Sequence, residues 1–548
     1  MTKKIPIGKD DLKEVIEQDY YYVDKTDIIE KLLSDGNYVS LFPRPRRFGK
    51  SLFISMLDNF FNIEYKDTNN NLFEGLNISK SKYYDYLSSK PVIKLDFKAL
   101  KQDSYEEMYQ SFKVMIRNIY LSKYYIFDNL NEIEKNIFNN YLYERASDAD
   151  YKISIQMLSL FMYKYYNIKP IILIDEYDVP IERGYIKGFY DDVVKLIRNV
   201  FSNALKGNNN ISFAIMTGVL RVSKESMFSD INNVEVYTIN NEFYNDCFGF
   251  TPNETKELLN YYNLELDNDV KNMYDGYNFC GAEIYNPWSI LNYAKYKKLE
   301  PFWINTSGNE LIIKTVKNCE IGIKVLIEKL LLGELVDFIY NDKTTYQDYS
   351  DLNDSDSIFN LLLASGYLTL EKSTSKNFNI EKTYVKLPNK EVKFLFKDIL
   401  LRIFKDKYRI NISLIEDFCN SILENDKELM EKLLNKMLVS KSYMDDEEAY
   451  YQGYLHGIFA LFINDDNYIV QSNREAGNGR FDLMIKDKKF NKGIIIELKV
   501  TDGDIEKEAF KGLNQIEEKE YYLDLINEGY KDIRKIAICF KGKSCCVR

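Results

Sequence analysis

Apolar runs of strand length alternate with helical patterns along the first half of the chain. Tyr38–Phe42 and Ile171–Ile174 have the length and composition of short buried strands. Between them, the apolar spacing from Leu52 to Phe61 is helical. Further strands are predicted at 92–97, 211–216 and 234–239. This alternation predicts an α/β fold.

A second set of signals lies near the C-terminal end. Arg480–Ile485 and Gly493–Val500 are two strand patterns separated by a polar turn, which predicts neighbouring strands of one sheet. A helix with an apolar stripe is predicted before them at 447–462. A helix at 506–525 and a strand at 535–540 are predicted after them. The predicted order is helix, strands, helix, strand.

Length, charge and composition restrict the possible classes of protein. With 548 residues the chain is several times the usual domain size, so we expect two to four compact units. The net charge of -11 means that any phosphate-binding surface must be a local basic patch. Because no apolar run approaches the ~18 residues that span a bilayer and no signal-peptide core follows Met1, we expect a cytoplasmic protein with no membrane partner.

The chemistry open to the chain is also restricted. The seven cysteines lack the spacing of a zinc site, so neither a structural metal nor a disulfide framework is implied. The single histidine, His456, excludes multi-histidine metal sites and disfavours histidine-dependent nucleophilic triads. Hydrolytic chemistry is therefore expected to use carboxylates, lysine and a metal ion.

A phosphate-binding loop is predicted after the strand at 38–42, where residues 43–51 read PRPRRFGKS and a helix follows. In this setting Gly49 lets the backbone approach a phosphate, Lys50 reaches the β and γ phosphates, and Ser51 ligates magnesium. Arg44 stands in the place of the first glycine of the usual motif. The start of the loop must therefore adopt a different conformation.

A Walker B pattern supports this prediction, since the apolar run at 171–174 ends in the acidic segment DEYD. Asp175 would hold the magnesium shell, and Glu176 would orient or deprotonate the attacking water. Thr217 follows a later strand, where a γ-phosphate sensor would lie. The alternative, in which both motifs only begin or cap surface helices, is disfavoured because the two motifs occur in the required order and context.

Three arginines are weaker candidates for the same site. Arg46 and Arg47 lie within the loop, and Arg221 follows the Thr217 strand. An arginine near phosphate can stabilise charge, contact a partner or remain solvated, and the sequence does not decide between these roles.

A metal-dependent cleavage site is predicted on the C-terminal strands. Side chains alternate along a strand, so Glu497 and Lys499 face the same way while Leu498 faces the opposite side. If Asp482 lies across from Glu497, two carboxylates can ligate magnesium while Lys499 positions or activates water and offsets phosphate charge. The alternative is an ion-pair cluster at the strand ends, which is disfavoured because charges in a buried sheet usually need a functional reason.

The helix predicted at 447–462 offers one further carboxylate. Glu447 and Glu448 lie in its first turn, and either could join the metal shell or serve only the helix dipole. Glu448 is preferred, and the two roles are given equal weight. His456 projects away from the apolar stripe, so we expect it to be solvated or to pack.

Both constellations together resemble a bacterial and archaeal family that joins an AAA-like ATPase domain to a PD-(D/E)XK nuclease domain. The resemblance spans nearly the whole chain and is carried by YVDKT at 22–26, RPRRFGKS at 44–51, LIDEYD at 173–178, TGV at 217–219, YNPW at 285–288, GRFD at 479–482 and IELK at 496–499. It implies that Arg44 is part of the family's own loop. It also implies that Asp482, Glu497 and Lys499 form the nuclease core, with Gln515 as an accessory residue.

We therefore expect an additional-strand P-loop ATPase domain at 1–240, a helical lid at 241–300, a helical connector at 301–430 and a restriction-endonuclease-like αβββαβ domain at 431–548. The expected function is an ATP-regulated nuclease that uses ATP and Mg²⁺ and cleaves nucleic acid, with DNA favoured over RNA. Defence against foreign DNA is suggested by analogy alone, and homo-oligomerisation is left open. The alternative is an ATP-binding switch or scaffold whose C-terminal domain binds nucleic acid or protein without cutting.

Overall fold

The structure is a computed structural model that describes residues 2–69, 71–220, 234–303, 310–319, 321–341, 354–374, 381–408, 412–438, 451, 455, 458–459, 468–476 and 479–548. The strands are β1 Val39–Pro43, β2 Val92–Asp96, β3 Ile171–Asp175, β4 Ala214–Gly218, β5 Val234–Val236, β6 Tyr277–Phe279, β7 Ala282–Ile284, β8 Val336–Asp337, β9 Thr369–Thr374, β10 Glu381–Lys386, β11 Tyr468–Ala476, β12 Gly479–Asp487, β13 Lys492–Val500, β14 Asp532–Lys541 and β15 Ser544–Val547.

The α-helices are α1 Leu12–Glu17, α2 Asp27–Asp35, α3 Lys50–Phe61, α4 Tyr105–Ser122, α5 Glu132–Leu142, α6 Asp148–Tyr166, α7 Val179–Lys187, α8 Tyr190–Leu205, α9 Pro252–Tyr261, α10 Asn268–Tyr274, α11 Pro287–Tyr296, α12 Glu310–Asn318, α13 Ile321–Leu331, α14 Ser355–Ala364, α15 Lys390–Tyr408, α16 Ile412–Glu424, α17 Lys427–Leu438, α18 Ile505–Glu518 and α19 Leu523–Asn527. Short 3-10 helices lie at Ile63–Tyr65, Asn77–Lys80, Lys82–Tyr86 and Tyr124–Asn129.

The chain folds into two compact units. The first consists of Met1–Leu311 and Asp337–Glu391, and the second of Ile312–Val336 and Val392–Arg548. The finer division into four domains, with boundaries at 240, 300 and 430, stays a prediction.

The first unit is built on a five-stranded sheet in the order β2-β3-β4-β1-β5, with every neighbouring pair parallel. This confirms the predicted α/β fold. Helix α3 packs on the sheet, and its Phe53 and Leu57 share a buried cluster with Phe42, Leu173 and Ile215. Because the strands are parallel, their carboxyl ends meet at one edge, where ligands bind in such sheets.

The fourth strand of this unit differs in its bounds from the prediction. Strand β4 begins at Ala214 and not at Ile211, because Ile211 belongs to a turn in which its N–H donates to the carbonyl of Asn208. The strand also continues to Gly218, so that Thr217 lies within it, paired with Phe42 of β1. The prediction of a strand here is correct, and its start is three positions too early.

The predicted lid and connector are less purely helical than expected. Strands β6 and β7 form an antiparallel pair within 241–300. A three-stranded sheet in the order β8-β10-β9 lies within 301–430. Strands β6, β7 and β8 have only two or three residues each, too few side chains to produce a clear alternation. Strands β9 and β10, with six residues each, were not predicted either.

The second unit contains a five-stranded sheet in the order β11-β12-β13-β14-β15. Its first three strands are antiparallel neighbours, β13 and β14 are parallel, and β15 returns antiparallel to β14. The described residues of the predicted stripe at 447–462, Tyr451, Leu455, Ile458 and Phe459, are helical and buried. The predicted αβββαβ order is present, with β15 in addition.

The helix predicted at 506–525 is wrong as a single element. It consists of α18 and α19, which are separated by a turn at 519–522. Glu520 in this turn has a φ of 55°, a left-handed conformation that ends a helix. The apolar spacing continues through the turn because Tyr521 is also buried, which explains why the pattern looked continuous.

Among the helices in the described part of the chain, none is both long and apolar enough to cross a membrane.

Candidate functional sites

The predicted phosphate-binding loop connects β1 to α3. Gly49 has a φ of 90° and caps α3, a conformation that favours glycine. Lys50 is buried at the first position of the helix, and its Nζ donates to the backbone carbonyls of Arg44 and Pro45, at 3.0 Å each. Ser51 is half-buried at the next position. These three residues therefore lie at a helix N-terminus, where backbone N–H groups favour an anion.

Arg44 anchors the start of this loop. Its guanidinium is fully buried and donates to the carbonyls of Pro43 and Tyr244, at 2.9 Å each, and to that of Tyr237. It also lies over the ring of Phe248, 5.0 Å from the centroid. Burial lowers the pKa of Arg44 to about 10, so the group stays charged at neutral pH. The sequence predicted an altered loop here, but not that a buried side chain would hold it to residues 237–244.

The carboxyl ends of β3 and β4 bring the predicted Walker B and sensor residues together. Thr217 Oγ1 donates to Asp175 Oδ1 at 2.5 Å, and both residues are buried. Burial raises the pKa of Glu176, and the charge of Lys50 opposes this rise. Burial lowers the pKa of Lys50, opposed by the charges of Glu176, Asp178 and Asp175. The loop lysine therefore lies within the electrostatic field of the acidic segment.

Asp178 ends the acidic segment DEYD, and its role follows from the structure and not from the sequence. The side chain is buried, and its Oδ2 accepts from the N–H groups of Val219 at 2.9 Å and Leu220 at 3.0 Å. A Cβ atom at Gly218 would lie 2.7 Å from Asp178 Oδ1, so this close approach requires glycine. The two hydrogen bonds of Asp178 connect the segment after β3 to the segment after β4. The adjacent glycine in TGV was the signal that could have indicated this contact.

The two loop arginines have different environments. Arg46 forms an ion pair with Glu182 of α7 at 2.5 Å. Arg47 is exposed, and its guanidinium lies 4.2 Å from the ring centroid of Trp288, within cation–π range. Although the residue as a whole is exposed, partial burial of its guanidinium lowers the pKa of Arg47, and the charge of Glu176 opposes this effect. The third candidate, Arg221, lies outside the described residues.

The C-terminal strands bring together the predicted nuclease residues. The antiparallel register of β12 and β13 runs to Leu483 opposite Ile496, which makes Asp482 and Glu497 the next positions along. Asp482 Oδ2 accepts from the N–H of Leu498 at 2.7 Å. Glu497 is only 2% exposed, and its Oε1 accepts from Lys499 Nζ at 2.9 Å.

Helix α18 covers one side of this cluster. Gln515 Nε2 donates to Glu497 Oε1 and to the hydroxyl of Tyr521, the latter at 3.2 Å. A Cβ atom at Gly512 would lie 3.0 Å from that of Ala537, so glycine allows the helix to approach the sheet closely. Gln515 was expected only from the family resemblance. Gly512 and Tyr521 were missed because their roles depend on where the helix packs.

The oxygen donors of both sites suit a hard divalent cation. No group of three or more His, Cys, Asp or Glu side chains that could hold a metal is found among the residues that the structure describes. Mg²⁺, however, is usually bound by one or two carboxylates together with water and substrate phosphates. Asp482 with Glu497, and Asp175 with Ser51, provide donor sets of that kind. Glu448, the further carboxylate considered, lies outside the described residues.

Comparisons with known proteins match one family to each of the two regions that carry the candidate sites. Residues 6–228 match the family described as Predicted AAA-ATPase, and residues 446–548 match the PD-(D/E)XK nuclease superfamily. A relative from Azotobacter chroococcum mcd 1, described as an uncharacterized protein in the vnfD 5' region, is 24% identical over 528 residues. The alignment covers 95% of this chain and 93% of the relative. The resemblance expected from the sequence motifs is thereby confirmed for both domains.

The anchoring by Arg44 generates a stability prediction. Arg44→Lys should destabilise the first unit by about 2 kcal/mol or more, because one ammonium group cannot reach the separate carbonyls of Tyr237 and Tyr244, and a buried acceptor loses its partner. The free energy of unfolding is measured by denaturant titration, with circular dichroism as the signal. The control is Arg145→Lys at an exposed arginine, which should leave stability nearly unchanged. Equal stability of the two variants would contradict the anchoring role.

Proposed function

We propose that this chain, which joins an AAA-like ATPase domain to a PD-(D/E)XK nuclease superfamily domain, is a magnesium-dependent nuclease regulated by ATP. The observation that carries the proposal is the buried Glu497 carboxylate, held by Lys499 and Gln515 beside Asp482. A charge buried in a sheet is costly unless it is hydrogen-bonded, and charges arranged in this way are typical of catalytic sites. The P-loop unit in the same chain supports regulation by nucleotide.

At the nucleotide site, each side chain has a distinct proposed role. Lys50 and the N–H groups at the start of α3 bind the phosphates, and Arg46 and Arg47 are candidates to offset their charge. Ser51 and Asp175 would hold Mg²⁺, which neutralises phosphate charge when bound. The hydroxyl of Thr217 fixes one oxygen of Asp175.

Glu176 is the proposed group that orients or deprotonates the attacking water. It lies directly after β3 and is half-buried near Lys50. A carboxyl group whose pKa is raised by burial accepts a proton more readily than an exposed one, which suits a general base.

At the nuclease site, Asp482 and Glu497 would hold Mg²⁺, which polarises the phosphate and activates water when bound. Lys499 has no acceptor atom for a metal, so it acts on water, substrate phosphate or the carboxylates. The N–H of Leu498 orients Asp482, and Gln515 orients Glu497. These contacts hold both carboxylates in place before substrate binds.

The wider setting of the activity is also a proposal. Nucleotide state would control substrate access or assembly of the cleaving domain, and DNA is favoured over RNA as the substrate. We further propose an ATPase domain at 1–240, a lid at 241–300, a connector at 301–430, a nuclease domain at 431–548 and a cytoplasmic location, with defence against foreign DNA as the setting suggested by analogy.

The deciding experiment is a cleavage assay on single- and double-stranded DNA and RNA, with and without Mg²⁺ and ATP. Cleavage that requires Mg²⁺ and changes with ATP supports the proposal. ATP binding and nucleic-acid binding without cleavage of any substrate would instead favour the switch or scaffold.

Lys50→Ala should weaken ATP binding by about a hundredfold, because it removes the cation nearest the β and γ phosphates. Calorimetric titration with Mg-ATP measures the effect. Lys206→Ala, at an exposed lysine of the same unit, is the control and should bind like the parent. Unchanged affinity in the Lys50 variant would remove the P-loop assignment.

Glu176→Gln should bind ATP like the parent and hydrolyse it about 10² to 10⁴ times more slowly, because the amide keeps the shape but cannot accept a proton. Phosphate release under saturating ATP measures the rate. Glu132→Gln, at a glutamate whose side chain is 91% exposed, is the matched control. Hydrolysis at the parent rate would show that another group activates water.

Asp482→Ala and Glu497→Ala should each abolish magnesium-dependent cleavage, since one carboxylate holds the cation poorly. Lys499→Ala should abolish cleavage but keep metal binding, because lysine is not a metal ligand. Cleavage, calorimetric metal affinity and ATP turnover are measured on folded variants, with Lys492→Ala on the same strand as control. ATP turnover should survive in all of them. A Glu497 variant that cuts like the parent would place the site elsewhere.

A further inference from the structure

The first unit contains a buried carboxylate, Glu391, that is far in sequence from the residues of the proposed ATPase site. Glu391, near the start of α15, is only 1% exposed. Its Oε1 accepts from the backbone N–H of Trp303 at 2.6 Å, and its Oε2 accepts from Ser289 Oγ at 2.7 Å. One carboxylate thus joins two separate segments of the unit.

The segment with Trp303 contacts Arg46, and the segment with Ser289 contacts Arg47. Trp303 Nε1 donates to the backbone carbonyl of Arg46 at 3.4 Å. Trp288, the neighbour of Ser289, packs its ring against the guanidinium of Arg47. These are the only two tryptophans in the chain.

The two tryptophan segments are also connected to each other. Trp288 Nε1 donates at 3.2 Å to the carbonyl of Phe302, the residue before Trp303. Asn286 of the YNPW motif caps α11 by accepting from the backbone N–H of Trp288 at 2.9 Å, which holds the backbone that carries this indole. The YNPW motif, which had no assigned role, therefore supports the loop arginines.

We propose that Glu391 is a positioning residue that holds Trp288 and Trp303 against Arg47 and Arg46, and so connects nucleotide binding at the loop to the start of α15. This inference rests on the proposed function, since it concerns regulation of the same nucleotide site. The chain passes into the second unit at the residue after Glu391, within α15. A nucleotide that shifts the two arginines therefore acts on bonds at the first turn of this helix.

Hydrogen bonds from two described segments hold Glu391. Burial raises the pKa of Glu391 to about 7, opposed by hydrogen bonds from Trp303, Ser289 and Phe302. Among the residues that the structure describes, Tyr274 and Tyr277 are titratable groups that interact with Glu391, and burial raises the pKa of both tyrosines. A neutral amide can make the same two bonds, because its oxygen accepts from Trp303 and its NH₂ donates to Ser289 Oγ. A thioether of similar size makes neither.

This difference defines the test. Glu391→Gln should retain parental behaviour, whereas Glu391→Met should weaken Mg-ATP binding or slow ATP hydrolysis by about tenfold. Ser289→Ala removes only the hydrogen bond between Glu391 and the segment of Trp288. It should therefore reduce Mg-ATP binding or hydrolysis less than Glu391→Met does. Glu132→Met, at an exposed position of α5, controls for the methionine. Circular dichroism and thermal unfolding establish that each variant is folded.

Tryptophan emission reports the proposed contacts directly. Mg-ATP should change the emission of the parent and of the single-tryptophan variants Trp288→Phe and Trp303→Phe, and Glu391→Met should lose most of this change while Glu391→Gln keeps it. Amide hydrogen exchange of α15, compared with α5, should respond to Mg-ATP in the parent and not in Glu391→Met. Both readouts are independent of nuclease activity.

The possible results separate this inference from the proposed function. If calorimetry shows no binding of Mg-ATP to the parent, the nucleotide site itself is wrong, and the inference fails with it. If the parent binds Mg-ATP but neither tryptophan responds, or α15 exchanges equally with and without nucleotide, only the role of Glu391 is overturned. A folded Glu391→Met variant that is merely less stable, with parental emission change and turnover, also overturns it.

Discussion

A charged group can be buried in a protein only if hydrogen bonds or an opposite charge replace the water that it loses. Both candidate sites of this chain are organised by that constraint. Lys50 is buried with its ammonium on two loop carbonyls, and Glu497 is buried with one oxygen on Lys499 and Gln515. Because removal of any such partner leaves a desolvated charge, the surrounding backbone has little freedom to rearrange. The side chains of both candidate sites are therefore already held in position by the surrounding fold.

The two sheets bring these charges together by different geometries. In the first unit, parallel strands place the ends of β1, β3 and β4 at one edge, so that Lys50, Asp175 and Thr217 converge although more than 160 residues of sequence separate the first from the last. In the second unit, the antiparallel pair β12 and β13 places Asp482 beside Glu497, and alternation along β13 places Lys499 on the same face. The first arrangement requires three neighbouring parallel strands from distant parts of the chain, and the second requires little more than one hairpin.

Buried side chains also hold the phosphate-binding loop from outside. Arg44 takes the place of a glycine and binds carbonyls near residues 237–244. Asp178 fixes the exit of β4 through two backbone N–H groups. Such supports give the site a defined shape, and they also make it sensitive to movements of the segments that supply them.

Local pattern alone determined a large part of the molecule. The strand and helix periods gave the α/β class, the strands that carry the sites and the shared face of Glu497 and Lys499, because alternation and motif spacing depend only on neighbouring residues. Tertiary structure decided the rest. Four features depend on it: the burial of Arg44, the close approach of Asp178 to Gly218, the packing of α18 at Gly512 and the hydrogen bonds of Glu391. Each of them involves residues whose spacing along the chain follows no period. Such contacts exist only once separate elements have packed against one another, so no local pattern of the sequence could contain them.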